Sequence, residues 1–341
     1  MRMKSIGTLL AAGAMALGLP GAAHAQAQQS TYQSQFDSLL GTEMRAPQDF
    51  DAVYDNELEE RIAQLAEGSR GRIGVYALDL TSGLEIDVLA DQRFPMASTS
   101  KVAIAAVYLA GVDAGKWTLT SEWRLPRRGG AYLTAREHID LMISKSCNAC
   151  TDAILNAVGG PAVVNKWMRD AGIEDFTLTR DIATLIREDG RVDPASSVDT
   201  RDSATPRAMG KLLAGIYQGK WLSASSRAVI MDAMRATTTG KKRMRSALPV
   251  SAGLAHKTGT LSRTASDIGI FHTPDGRAIA VAIYVTGQSP SMAVENGNRG
   301  RKLEARQMRD ARISTITEAL YRGFTRPEDN RRVWADADYG G

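Results

Sequence analysis

The spacing of apolar residues changes period several times along the chain, and the changes mark its parts. Leu58, Ile62 and Leu65 recur at helical spacing, and Arg72 to Leu80 is apolar enough to predict a buried strand ending in the turn Thr81-Ser82-Gly83. Leu84-Glu85-Ile86-Asp87-Val88 then alternates with period two, the pattern of a strand with one face inward. The same hairpin logic returns late, where Asp267 to Phe271 and Ala278 to Val285 flank the turn Thr273-Pro274-Asp275-Gly276. Between the two hairpins the pattern is helical, most strongly at Val102-Ala103-Ile104-Ala105-Ala106-Val107-Tyr108-Leu109. A last helix is expected near Arg306 to Tyr321, with Ile313, Ile316 and Leu320 on one face. Strands at both ends around a helical middle predict an α+β fold. An antiparallel sheet is assembled from the two chain ends and flanked by terminal helices, and an all-helical lobe is inserted between them.

The ends of the chain read differently. Residues 1–25 carry Arg2 and Lys4, then the apolar run Ile6 to Leu19, then Ala23-His24-Ala25, the layout of a cleavable secretory signal. That run is too short to span a bilayer, and no cysteine stands at the cleavage point for lipid attachment. The expectation is an exported, periplasmic protein without a membrane anchor. Residues 26–56 are rich in Gln, Ser and Asp and form a polar extension; 57–325 hold the folded domain, and 326–341 a polar tail. The composition, 43% hydrophobic and 23% charged over 341 residues, is that of ordinary globular material. Loss of the signal removes two cations and no anion, so the formal charge falls from +4 to +2, too balanced for a nucleic-acid partner.

Three short motifs carry chemistry: Ser98-Thr99-Ser100-Lys101, Ser146-Cys147-Asn148 and Lys257-Thr258-Gly259. A serine hydroxyl is a poor nucleophile until a neighbour removes its proton, and a lysine three residues later on a helix lies on the same face. Ser146 can relay a proton to a leaving nitrogen, the Asn148 amide can bind a substrate carbonyl, and Lys257 can hold a carboxylate from a strand edge. Each motif alone is weak. Their order carries the signal, with 48 residues from Ser98 to Ser146 and 111 from Ser146 to Lys257.

With these motifs the chain resembles the class A β-lactamases, within the wider group of penicillin-recognising serine enzymes. The resemblance runs from about Glu57 to Gly323. It includes Phe94-Pro95-Met96-Ala97-Ser98, Leu133-Thr134-Ala135-Arg136-Glu137, Val158-Gly159-Gly160-Pro161, Arg201-Asp202 followed by Pro206, Arg245-Ser246-Ala247-Leu248-Pro249 and His256-Lys257-Thr258-Gly259-Thr260. It implies a cleft between sheet and helical lobe in which Ser98 is acylated by a β-lactam, with Lys101, Ser146 and Lys257 catalytic. The oxyanion is then expected on the backbone N–H groups of Ser98 and Thr260. Asn148, Thr258, Gly259 and Thr260 bind substrate, and Arg243 is either a second carboxylate-binding guanidinium or a surface arginine in a basic run. No cofactor is implied, the partner is a small-molecule β-lactam, and the protein is expected to be a monomer.

Two departures from that family stand out. Cysteine replaces the usual aspartate at position 147, and Cys147 and Cys150 form Cys-x-x-Cys. This reads as two small residues packing a buried helix start, as a short-range disulfide under tight geometry, or as a thioredoxin-like redox pair, against which the missing βαβ pattern speaks. Further on, no Glu-x-x-Leu-Asn segment supplies the carboxylate that activates the deacylating water. Counting forward from Gly159-Gly160-Pro161 lands near Ile182, and counting back from Arg201-Asp202 lands near Asp189. An insertion reconciles the counts and leaves Glu188, Asp189 or neither as the base.

The rival readings are therefore a β-lactamase, a penicillin-binding D,D-peptidase-like hydrolase with slow deacylation, and a non-catalytic exported binding protein. A nucleophile and two lysines speak against the last. A zinc enzyme is excluded on inventory, since only His138, His256 and His272 follow the signal and none lies in a His-x-His pattern.

Overall fold

The last strand of the sheet shows how the molecule is layered. In Ala278–Thr286 every residue is buried, and successive side chains point to opposite faces. Ile279, Val281, Ile283 and Val285 face one apolar cluster, while Ala278, Ala280, Ala282 and Tyr284 face another. A strand covered on both faces is the centre of a sandwich rather than a solvated sheet. The computed structural model describes residues 56–67 and 69–326; the expected signal segment, the polar extension up to residue 55 and the tail beyond residue 326 lie outside the described residues.

The main sheet has five antiparallel strands: β1 (Ile73–Asp79), β2 (Glu85–Val88), β3 (Ala255–Leu261), β4 (Thr264–His272) and β5 (Ala278–Thr286), in the order β2-β1-β5-β4-β3. The register pairs Ile73 with Val285 and Asp79 with Ile279, so the first strand of the domain lies against the last. On one face lie helix α1 (Glu57–Ala66), through Leu58 and Ile62, and the C-terminal helix Arg299–Thr325, through Ile313, Ile316 and Leu320. The expected hairpin, turn and terminal helices are present. The last helix starts earlier than its apolar spacing predicts, because Arg299 to Glu304 are exposed and carry no helical signature.

The other face packs against the inserted lobe. Its central helix, α2 (Lys101–Asp113), is buried on all sides from Lys101 to Leu109, as a helix that is apolar all round must be. Around it stand α3 (Ala135–Ser144), α4 (Asn148–Val158), α5 (Pro161–Asp170), α6 (Ile182–Glu188), α7 (Pro206–Gln218) and α8 (Ala224–Arg235). Their ends follow from local chemistry. Thr134 and Glu137 form a reciprocal capping box on α3, and Thr205 caps α7, which has Pro206 at its first position and Gly219 at φ 75° after its last turn. Helix α7 approaches the sheet closely because Gly210 has no side chain; a Cβ there would sit 2.2 Å from the Tyr76 ring. Among the described residues no helix is long and apolar enough to cross a membrane.

Candidate active site

Ser98 lies in a single 3-10 turn, Ala97–Ser100, that feeds directly into α2. Neighbouring side chains fold back to fix it. Thr99 Oγ1 donates to Met96 O at 2.7 Å and meets the Tyr284 hydroxyl of β5 at 2.9 Å, and Ser100 Oγ donates to Ala97 O at 2.9 Å. Ala97 takes φ 48°, a left-handed conformation uncommon for a residue with a Cβ. The turn lies against β3 at Gly259, where a Cβ would come 2.8 Å from Met96 O and 2.4 Å from Ser266 Oγ. Glycine is needed here to let the strand reach the serine turn. The Ser98 hydroxyl is half-buried and has no hydrogen-bond partner among the described residues.

Lys101, Ser146, Asn148 and Lys257 come together from three elements. The fully buried Lys101 Nζ donates to Ser146 O at 2.8 Å and Asn148 Oδ1 at 2.7 Å, and lies 3.2 Å from Ser146 Oγ. Lys257, also fully buried on β3, donates to the same Ser146 Oγ at 3.0 Å and to Thr258 O at 2.8 Å. Ser146 sits just ahead of α4 at φ 58°, again left-handed for a residue with a side chain. The turn that aims its hydroxyl between the two lysines is therefore held by its surroundings. Asn148 is the first residue of α4; with Oδ1 taken by Lys101, its amide nitrogen is the donor left for a ligand.

Burial holds the Lys101 amine down at about 7, and the Asp152 carboxylate acts against that shift. Burial also pushes Lys257 well below the ordinary lysine value, with the neighbouring Lys101 charge adding to it. Two buried ammonium groups on one hydroxyl repel each other, so losing one proton is favoured. A neutral Lys101 suits its partners. Two N–H groups serve the acceptors Ser146 O and Asn148 Oδ1, and the lone pair faces a hydroxyl that can donate. Asp152 was not among the residues singled out from the sequence. It follows Asn148 by four, one helical turn further along α4, and that spacing is the signal that could have found it. Its carboxylate accepts from the backbone N–H groups of Ile182, at 2.7 Å, and Ala183, at 3.1 Å, and so holds the start of α6 below the site.

The other candidates lie along β3. Thr258 Oγ1 meets Thr239 Oγ1 at 2.6 Å, and Thr260 is exposed. Arg243 is buried rather than a surface arginine. Its guanidinium donates to Asp310 at 2.6 Å, to Gly259 O at 2.8 Å, to Ser266 O at 2.9 Å and to Thr260 Oγ1 at 2.8 Å. It clamps β3 to β4 and orients the Thr260 hydroxyl.

Cys147 and Cys150 form a disulfide, which selects the short-range bridge from the readings left open and rules out two free packing residues. Their Cα atoms are 5.3 Å apart because Cys147 caps α4 and Cys150 ends its first turn, a separation within the range a disulfide spans. The bridge straddles Asn148.

The loop from Thr179 to Thr205 holds both expected base positions, each engaged elsewhere. Glu188 accepts from Arg180 at 2.7 Å and Arg201 at 3.2 Å, and Arg180 holds its carboxyl below the usual range. Asp189 accepts from Ser262 N at 2.9 Å and Ser262 Oγ at 3.0 Å, pinning the loop to the β3–β4 turn. Ile182 is buried and apolar.

A five-stranded antiparallel sheet carrying a helical lobe, with a serine and two buried lysines where they meet, is the layout of a serine acyl-transferring enzyme. Residues 57–324 match the model of the β-lactamase enzyme family. The chain is similar to the carbapenem-hydrolyzing β-lactamase KPC of Klebsiella oxytoca, 32% identical over 67% of this chain and 80% of the relative. It is also similar to β-lactamase SME-1 of Serratia marcescens, 29% identical over 67% and 81%. Among solved structures, an ancestral class A β-lactamase superposes with a TM-score of 0.69 at 31% identity, covering 79% of this chain and 100% of the other. A β-lactamase from Chitinophaga pinensis gives 0.67 at 27%, covering 79% and 100%. The chain belongs to the class A β-lactamase family.

Proposed function

We propose that this chain is an exported serine β-lactamase in which Ser98 is the nucleophile, Lys101 its base, Ser146 the proton relay and Lys257 the seat of the substrate carboxylate. The observation that carries the reading is the pair of lysine contacts on Ser146 Oγ, at 3.2 Å from Lys101 and 3.0 Å from Lys257. In acylation the neutral Lys101 takes the Ser98 proton as Ser98 Oγ bonds to the β-lactam carbonyl carbon; Ser146 passes its proton to the departing ring nitrogen and is reprotonated by the Lys101 ammonium, which leaves Lys101 neutral in the acyl-enzyme. The oxyanion is assigned to the backbone N–H groups of Ser98 and Thr260. Asn148 offers its amide nitrogen to the substrate side-chain carbonyl. Thr258 and Thr260 line the carboxylate end beside Gly259, and Arg243 acts there through Thr260. The composition of residues 1–25 supports export to the periplasm.

Both the family membership and the names of the relatives support β-lactam hydrolysis. The test is turnover: the mature protein hydrolyses benzylpenicillin in a spectrophotometric assay, and Ser98→Ala does not. A second reading, a penicillin-binding D,D-peptidase-like hydrolase with slow deacylation, is favoured by the engagement of Glu188 and Asp189 with protein partners. A parent enzyme that stalls as a long-lived adduct supports the second reading over the first.

A further inference from the structure

We propose that Lys101 is the base of both half-reactions: the amine that accepts the Ser98 proton in acylation also accepts a proton from the water that cleaves the acyl-enzyme, and no loop carboxylate takes part. This rests on the acyl-enzyme reading and departs from it in one respect, the identity of the deacylating base.

The loop carboxylates are all held by protein partners. Asp181 caps α6 through Thr184 N at 2.7 Å, and Asp193 accepts from Arg263 at 2.9 Å. Asp199 accepts from Arg201 at 2.8 Å, and Asp202 from Thr179 N at 2.8 Å and from the Arg180 side chain. Glu188 and Asp189 are bound as described. Arg180 beside Glu188 and Arg201 beside Asp199 hold those carboxyls below the usual range, which makes them weak bases, while the oxygens of Asp189 are occupied by Ser262 N and Oγ. Ile182, on which the count from Gly159-Gly160-Pro161 lands, is apolar and only 2% exposed, its N–H held by Asp152.

Lys101 has the opposite character. It is fully buried, and its polar partners, Ser146 O, Ser146 Oγ and Asn148 Oδ1, are all uncharged. The charged groups that act on it are Asp152 from α4 and Lys257 from β3, and burial places its proton affinity near neutrality. The step balances. Water oxygen bonds to the acyl carbon as one water proton passes to the Lys101 amine; the bond from that carbon to Ser98 Oγ then breaks, and the ammonium returns the proton to Ser98 Oγ. Product acid leaves and the enzyme is restored.

The experiment is deacylation rate against pH, read by acid quench and intact mass spectrometry after a pulse of benzylpenicillin, from about pH 3 to about pH 9. The expected limb lies near neutrality, with adduct accumulating below it. Asp152→Asn removes the anion that supports the ammonium and moves the limb to lower pH. Glu188→Gln and Asp189→Asn stay within roughly threefold of the parent. Accumulation of adduct in either amide variant overturns the proposal, as does a limb in the carboxylate range that Asp152→Asn leaves in place. Loss of deacylation in Asp152→Asn at every pH makes Asp152 the base and overturns it too. These outcomes leave the acyl-enzyme reading standing, whereas the absence of any adduct at any pH overturns both.

Discussion

Lys257 Nζ and Ser146 Oγ lie 3.0 Å apart although 111 residues separate them, so one hydrogen bond joins the edge of the sheet to the turn ahead of α4. The contact lies where the sheet meets the helical lobe, with Lys257 fully buried.

Lys257→Ala is expected to lower kcat/KM for carboxylate-bearing β-lactams on the order of a hundredfold, since truncating a buried charge partner costs about 2–5 kcal/mol. Substrate esters that lack the carboxylate should lose less. Steady-state kinetics on an acid and ester pair decides, and equal losses would move Lys257 from substrate binding to proton relay.

A lysine buried with its pKa held at about 7 opposes folding at any pH where the unfolded chain is protonated. That cost is absent above the unfolded value of about 10.5, grows as pH falls through it, and is complete below about 7. Lys101→Met should therefore abolish turnover while stabilising the fold by about 1–3 kcal/mol at neutral pH. The gain is partial because Ser146 O and Asn148 Oδ1 lose a donor. Denaturant unfolding at neutral pH and near pH 11 should show the gain shrinking as pH rises. A variant destabilised at neutral pH would contradict this.

Gly259→Ala is expected to lower both stability and acylation rate, because a Cβ would meet backbone at Met96 O and the buried Ser266 Oγ. Overpacking of this kind costs about 1–3 kcal/mol. Thermal unfolding together with the acylation burst checks it, and an unchanged burst would mean that strand and serine turn move independently.

The Cys147–Cys150 bridge closes a very small ring, so its contribution to global stability should be slight. Its position around Asn148 predicts a functional effect instead. Cys147→Ser/Cys150→Ser, or the parent in reductant, should lose severalfold in kcat/KM with a small change in Tm. Equal activity with and without the bridge would show that Ser146 and Asn148 are held by Lys101 alone.

What could be read in the sequence followed the range of the interactions. The Thr273-Pro274-Asp275-Gly276 hairpin and the apolar run after Lys101 are local patterns, and the structure has both. Lys101, Ser146, Asn148 and Lys257 were legible because chemistry restricts their types, and the structure brings all four together. Arg243 was not. In Lys241-Lys242-Arg243 the first two are exposed and the third is buried, and only the tertiary partners Asp310, Gly259 and Ser266 distinguish it. Cys-x-x-Cys at a helix start fits packing and bonding alike, and the capping geometry of Cys147 decides between them. The charges of Glu188 and Asp189 were visible from the start, but their engagement depends on Arg180 and Ser262, which no local pattern places beside them.

The central claim, that Ser98 carries the acyl group of a β-lactam, is tested most directly by acid-quenched peptide mapping during benzylpenicillin turnover. The account predicts a penicilloyl adduct on the peptide containing Ser98, present while substrate lasts, lost as it is consumed, and absent in Ser98→Ala. Labelling that persists in Ser98→Ala, or hydrolysis that proceeds with no adduct on that peptide at any quench time, would contradict it.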